Sequence, residues 1–352
     1  MFNVLAINIG STTTKVGIHK KNSGLIRYTF SYESDLENDT RSDPERRKQD
    51  IYAFLETFRV NHGSIQLIVS RGGLGKPGPS GVYRINKQMC DDLMSAKYGW
   101  HPSALGPVIA YEMAQSWNID AVVVDPPSTD EFDDRSRFSG HPDIERKSAF
   151  HALNQKSAAI KAAKDLGRSY ADCNFVVAHM GGGITIGAHR LGRVIDATHG
   201  LAEGPFTPER AGTLPTLDLA EFIRQKKLSG KDLQVMLCGG SGLYAYLGTK
   251  DATLIEEMID KGNHAAEQCY QAMAYQIAKE IGAMAAVLKG TVDAVVLTGG
   301  LAKSKLFTSW ISDMTGFVAQ ILVYPGEDEI QALIDGGFRV LQAEESVQLY
   351  PP

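Results

Sequence analysis

Short apolar, β-branched runs recur along the chain at residues 4–9, 65–69, 121–124, 175–178, 294–297 and 321–323, each of strand rather than helix length. Between them lie stretches whose apolar residues return every three or four positions, the spacing of one helix face. The clearest covers 264–288, where Met273, Ile277, Ile281, Met284 and Leu288 make one apolar stripe suited to core packing. Further helices are predicted over 44–60, 148–166, 217–225 and 329–343. The first opens with Asp43 as cap and Pro44 as first helical residue, and its basic run 46–48 reads as a solvated face. Strands alternating with helices in this way predict an α/β fold.

One pattern occurs twice. Asn8-Ile9-Gly10-Ser11-Thr12-Thr13-Thr14-Lys15 runs on to Gly17-Ile18-His19-Lys20, and His179-Met180-Gly181-Gly182-Gly183-Ile184-Thr185 runs on to Gly187-Ala188-His189-Arg190. In both, a polar residue ends an apolar strand, a turn of glycines or hydroxyls follows, and a second strand closes on Gly-x-His-basic. The copies begin near residues 1 and 175, so the echo predicts two duplicated domains. We assign 1–150 with 331–352 to the first domain and 151–330 to the second, with the site in the cleft between them.

Composition narrows the function. Hydrophobic residues make up 43% and charged residues 22% of 352 positions, which excludes a disordered chain. Lys and Arg total 36 against 41 Asp and Glu, a net charge of −5, so the basic footprint of a nucleic-acid-binding protein is missing. Cys90, Cys173, Cys238 and Cys269 are widely spaced and form no C-x-x-C pair, which argues against a zinc knuckle or disulfide framework and suits a cytoplasmic protein. No signal segment or membrane span is expected.

The 35 glycines cluster just after apolar runs. A strand feeding such a turn offers backbone N–H groups and hydroxyls to an anion without side-chain bulk in the way. The first turn offers Asn8, Gly10, Ser11, Thr13 and Lys15, and the second offers His179 with Gly181, Gly182 and Gly183. A third, Gly299-Gly300, follows the run at 294–297 and opens a helix-like segment. The P-loop string G-x-x-x-x-G-K-[ST] is absent. Gly73 to Gly78 matches G-x-G-x-x-G formally, but Pro77 interrupts it and the segment reads as a loop. Gly240-Ser241-Gly242 lacks the flanks of a nucleophile elbow.

Taken together, Asn8-x-Gly10-Ser11-x-Thr13-x-Lys15, Ser70-Arg71-Gly72-Gly73, Phe150-His151, His179-x-Gly181-Gly182-Gly183 and Gly204-Pro205-Phe206-x-Pro208-Glu209-Arg210-x-Gly212 resemble the acetate and butyrate kinase family in content and order. The resemblance spans nearly the whole chain. It is similar most of all to the butyrate and branched-chain fatty acid kinase branch, which the string around Arg210 and the ending Pro325-Gly326-Glu327-Asp328-Glu329 favour. Acetate kinases carry an asparagine where this chain has Gly182, so acetate specificity does not transfer.

The resemblance implies two actin-like ATPase (ribonuclease H-like) domains, ATP with Mg2+ as cofactors, and phosphoryl transfer to the carboxylate of a short-chain acid. Arg71 and Arg210 would then flank the carboxylate and the transferring group, His151 and His179 would donate hydrogen bonds to it, and Asp125 would match the catalytic aspartate. Gly10, Gly181, Gly182, Gly183, Gly299 and Gly300 would cradle nucleotide, with Asn8, Ser11, Thr13 and Lys15 on the phosphate side. His101 matches a cleft histidine. Asn8, with Asp328 or Glu329, would serve magnesium. A homo-oligomer is expected. The chemistry is coherent, because a carboxylate is already ionised near pH 7 and needs no base, while its approach to a charged phosphate demands fixed cations. Two other readings are a hydroxyl-directed kinase of the same fold, which needs a carboxylate base, and an actin-like nucleotide-binding scaffold without catalysis.

Overall fold

The computed structural model describes residues 3–20, 24–32 and 43–351. Its strands are, in order, β1 (Val4–Ile9), β2 (Thr13–Lys20), β3 (Gly24–Ser31), β4 (Leu67–Ser70), β5 (Val82–Arg84), β6 (Asp120–Val124), β7 (Phe138–His141), β8 (Ile144–Glu145), β9 (Asn174–Met180), β10 (Ile184–Arg190), β11 (Arg193–Ala197), β12 (Ala294–Gly299), β13 (Ile321–Pro325) and β14 (Val347–Gln348). Its helices are α1 (Pro44–Thr57), α2 (Lys87–Met94), α3 (Leu105–Trp117), α4 (Ala152–Asp165), α5 (Thr216–Lys226), α6 (Gly230–Gly239), α7 (Gly242–Leu247), α8 (Ala252–Asp260), α9 (His264–Val287), α10 (Lys305–Thr315) and α11 (Glu329–Leu341). The chain divides into two compact units, Met1–Asp130 with Asp328–Pro352, and Glu131–Glu327.

In the first unit the sheet order is β14-β5-β6-β4-β1-β2-β3. β1 pairs antiparallel with β2 and parallel with β4, and β4 pairs parallel with β6. Side chains alternate across the pleat. Leu5, Ile7, Ile9, Ile68 and Val123 share a core with Leu105, Ile109 and Met113 of α3. The opposite face receives α11, which lies flush because Gly336 and Gly337 meet it. A Cβ on Gly337 would stand 2.8 Å from Val4 and 2.9 Å from Val69, and one on Gly336 2.8 Å from Val124. That close seat fixes where the N-terminus of α11 falls.

The second unit repeats the theme with sheet order β11-β10-β9-β12-β13. β9 pairs antiparallel with β10 and parallel with β12, which pairs parallel with β13. Reading β9, β10, β11, β12 and β13 for β1, β2, β3, β4 and β6 reproduces the first unit's order, so the duplication seen in sequence is a duplication of topology. α4 covers one face with Ala159, Ala162 and Ala163 against Phe175 and Val296. α9 covers the other, where the predicted stripe of Met273, Ile277, Ile281, Met284 and Leu288 is buried as core. Among the described residues no helix is long and apolar enough to cross a membrane.

One local expectation holds in position only, and one needs correction. Asp43 stands at the N-cap of α1 but makes no side-chain capping bond. The run 46–48 is not uniformly solvated: Arg47 is only 3% exposed, because α1 turns its guanidinium toward the end of the sheet.

Candidate functional site

In the first unit, the end of β1 carries Asn8 directly opposite Lys15 of β2. The turn between them closes when the Gly10 N–H donates to the Thr13 carbonyl at 2.8 Å, and it leaves Ser11 and Thr12 exposed. Arg47 braces the turn from behind, its guanidinium donating to the Thr13 carbonyl, the Thr14 hydroxyl and the Ser11 carbonyl, each at 3.0 Å.

Glu329, the first residue of α11, gathers the charged groups of this turn. Asn8 Nδ2 donates to Glu329 Oε2 at 2.6 Å, and Lys15 Nζ donates to the same oxygen at 3.0 Å. Arg71, just past β4, brings Nη1 to 3.4 Å from Glu329 Oε1. The two acidic candidates are thereby separated. Asp328 caps α11 by accepting from the Gln331 N–H and pairs with Arg27 where both are exposed. Asn8 is 2% exposed, and its Oδ1 has no hydrogen-bond partner. Such an orphaned acceptor beside a buried carboxylate suits a ligand with positive charge or donors.

Asp125 follows β6 in a left-handed conformation, φ 40°, and its Oδ1 accepts from the Gly81 N–H at 2.9 Å. His101 accepts from the Ser103 N–H at 3.2 Å. Its imidazole is held below its ordinary range by desolvation first and by the positive charge of Arg71 second. Gly72 and Gly73, which follow Arg71, line a small hollow together with Tyr83, Met89, Leu93 and Tyr350.

In the second unit His179 occupies the place that Asn8 holds in the first, next to last in β9 and opposite Thr185 of β10. The turn is one residue shorter, closed by the Gly181 N–H donating to the Gly183 carbonyl at 3.0 Å. Each of its outer glycines permits a close approach. A Cβ on Gly183 would collide with the Arg210 guanidinium and approach His151 to 3.1 Å, and one on Gly181 would collide with Glu327. The rings of His151 and His179 lie 4.4 Å apart between centroids. His151 Nδ1 bonds with the Thr185 hydroxyl at 2.9 Å, and His179 Nε2 stands 3.4 Å from Glu327 Oε1.

Arg210 is held by its own loop. Thr207 Oγ1 donates to the Gly182 carbonyl at 2.8 Å and accepts from the Arg210 N–H at 3.0 Å, while Arg210 Nη1 donates to the Gly200 carbonyl at 2.8 Å. The Ser241 N–H donates to the Glu209 carbonyl, so the Gly240-Ser241-Gly242 string braces this loop and is not a nucleophile elbow. Arg210 Nε and His179 Nδ1 are buried without partners. Gly299, at φ 96°, packs against the Met180 backbone beside the same turn, and no atom crowds Gly300.

The structure thus brings together Asn8, Lys15, Arg71 and Glu329 in one unit and His151, His179, Gly181 to Gly183 and Arg210 in the other. Sequence reasoning missed Arg47, Glu327, Thr185 and Thr207. Thr185 had a signal, since the echo places it opposite His179, and Glu327 adjoined the acidic pair already singled out.

The model of the Acetokinase family matches residues 142–308. Among solved structures, acetate kinase from Porphyromonas gingivalis superposes with a TM-score of 0.80 at 19% identity, covering 97% of this chain and 100% of that one. Acetate kinase from Entamoeba histolytica gives 0.76 at 18% identity over 97% and 100%. A propionate kinase from Francisella tularensis subsp. tularensis SCHU S4 gives 0.75 at 18% over 95% and 98%. These likenesses show the fold, the duplicated actin-like ATPase architecture that the sequence motifs implied.

Proposed function

We propose that the protein moves a phosphoryl group between ATP and the carboxylate of a short-chain acid. The observation that carries this reading is the second unit's glycine turn, where the Arg210 guanidinium and the paired rings of His151 and His179 crowd bare backbone, with buried Arg210 Nε and His179 Nδ1 unpartnered. Such a set of donors, fixed before any ligand arrives, suits a phosphoryl group whose charge spreads over its equatorial oxygens.

The step balances without a proton. A carboxylate oxygen forms a bond to the γ-phosphorus as the bond to the β–γ bridging oxygen breaks, giving acyl phosphate and ADP at unchanged total charge. Arg71 in the first unit binds the acid's carboxylate, and Arg210, His151 and His179 hold the transferring group. Lys15 and the exposed turn 10–13 bind phosphate oxygens. The residues also fit Mg2+: Asn8 Oδ1 and the Glu329 carboxylate are hard oxygen donors of the kind it takes. When bound with nucleotide, the ion neutralises phosphate charge. Glu329 serves this role rather than Asp328, which is committed to capping α11 and to Arg27.

The acid is butyrate, isobutyrate or a similar branched acid of four or five carbons. Supporting this, Tyr83, Met89, Leu93 and Tyr350 wall a hollow against Gly72 and Gly73, the residues that follow Arg71. Acetate leaves such a space unfilled, and each missing methylene costs about 1–3 kcal/mol. Trapping of acyl phosphate by hydroxylamine, with MgATP and acids from acetate to valerate, tests both parts. No hydroxamate with any acid would remove the activity, and a kcat/KM maximum at acetate would remove the chain-length assignment.

The protein acts as a homo-oligomer. α5 and α6 bury no residue, and they display Leu217 at 87% and Val235 at 65% exposure.

A further inference from the structure

We propose that Arg146 is a positioning residue for the transfer step, setting Arg210 and His151 against each other through the turn around Gly200; the inference rests on the function proposed above. Arg146 touches none of the residues assigned to the phosphoryl group. Its guanidinium nevertheless uses every N–H it has. Nε donates to Glu203 at 3.1 and 3.2 Å, Nη1 to the Ser136 carbonyl at 2.7 Å and Asp196 Oδ1 at 3.0 Å, and Nη2 to the Ala197 carbonyl at 3.1 Å and Glu203 Oε2 at 2.9 Å.

Those acceptors come from separate segments. Asp196 and Ala197 end β11, Ser136 lies in the short helical turn before β7, and Glu203 closes the turn that leads from β11 toward Arg210. Arg146 itself begins the segment that ends at His151. The turn it clamps touches both phosphoryl-handling groups. The Gly200 N–H donates to the Ala149 carbonyl at 2.7 Å, two residues before His151, and the Gly200 carbonyl accepts from Arg210 Nη1 at 2.8 Å. The N–H and carbonyl of one residue, Gly200, therefore set the spacing of Arg210 from His151, and Glu203, three residues on, ties that residue's turn to Arg146.

The fork geometry is essential. A guanidinium can meet a carboxylate side-on with two parallel bonds while pointing its remaining N–H groups at carbonyls, whereas an ammonium has three donors on one atom and cannot span the three segments. Keeping the charge while losing the fork thus separates positioning from electrostatics.

The test uses the full chain with Arg146→Lys, Glu203→Gln and the double variant, measuring kcat and the KM values for ATP and acid by hydroxylamine trapping. We expect each single variant to lower kcat by about 10- to 100-fold, the loss that follows small misplacement of catalytic groups. KM for ATP should move far less, and the double variant should be no slower than the worse single one, because both cut the same link. Folded Arg146→Lys enzyme with wild-type kcat, or losses that multiply in the double variant, would overturn the inference. A second measurement keeps it decidable if the wild type makes no acyl phosphate with any acid, the result that sinks the functional reading instead. The imidazole NMR signals of His151 and His179 should shift in Arg146→Lys, and unmoved signals would show that Arg146 does not set their surroundings.

Discussion

At the scale of single residues, Arg210 makes the sharpest prediction. Only Nη1 is seen bonded, to the Gly200 carbonyl, and Nε is buried without a partner, so the guanidinium is held by one edge. Truncation to alanine should lower kcat by on the order of 10³-fold, as for other phosphoryl-transfer arginines, with a smaller effect on KM for ATP. Added guanidinium should restore part of the rate. A folded Arg210→Ala enzyme with near wild-type kcat and weakened acid binding would instead make Arg210 a ground-state clamp. His189 gives a pH prediction. It is fully buried, with Nε2 facing Gln155 Oε1 at 3.0 Å and Nδ1 facing the Tyr170 hydroxyl at 2.8 Å. Gln155 donates its own amide N–H groups to Thr185, so its oxygen can only accept, and the neutral ring with its proton on Nε2 satisfies both bonds. Burial, then the charge of Lys156, pushes its pKa down to about 3. The unfolded chain binds a proton near pH 6.5 and the native state does not, so stability is full above that pH and falls as pH drops toward 3. By pH 5 this one group should cost about 2 kcal/mol. Denaturant titrations between pH 7.5 and 5 should show a shallower loss for His189→Gln than for the wild type, and equal slopes would refute the assignment.

At the scale of elements, α11 links core packing to the site. Because Gly336 and Gly337 let the helix lie on β1, β4 and β6, its first residue Glu329 reaches Asn8, Lys15 and Arg71. In an exposed helix, Gly→Ala would stabilise by about 1 kcal/mol. Here Gly337→Ala should destabilise, because its Cβ meets Val4 and Val69 and overpacking costs about 1–3 kcal/mol. It should also weaken MgATP binding by moving Glu329, which calorimetry can measure. A more stable Gly337→Ala protein would contradict the seating of α11. The helix itself was legible, since its apolar positions repeat with helical spacing, and so were the buried strands β6, β9 and β12, whose runs are continuously apolar, and β1, apolar but for Asn8. β3 was not, because its residues are mostly exposed and supply neither an apolar run nor clean alternation. The candidate site divides in the same way. Asn8 and His179 were visible as the polar ends of apolar strands repeated at one topological place. Arg47 was hidden, because a basic run on a helix looks solvated until the packing angle of that helix is known.

At the scale of the molecule, duplication explains the five shared strands of the two sheets and leaves α5 to α8 over, since among the described residues between β3 and β4 in the first unit no helix corresponds to them. α5 has eleven residues and α6 ten, below the length at which helices hold themselves in water. The capping box of Ser229 and Asp232 and the exposed Glu221–Arg224 pair are solvent-screened surface interactions that add little. Neither helix fully buries a side chain, although Leu219, Ile223, Leu233, Met236 and Leu237 are half-buried, and the oligomer proposed above predicts further cover for both. A second copy is suited to supply it. Laying α5 antiparallel on its own copy about Phe222 sets Asp218 opposite the partner's Lys226, an attractive charge pairing made twice by symmetry. Light scattering after gel filtration should therefore give a mass above the 38.3 kDa of one chain. Leu217→Glu combined with Val235→Glu should bring it down to one chain, with the far-UV spectrum losing helix as α5 and α6 fray. A wild-type protein that stays monomeric at tens of micromolar, with full helical content, would show that these helices stand without a partner.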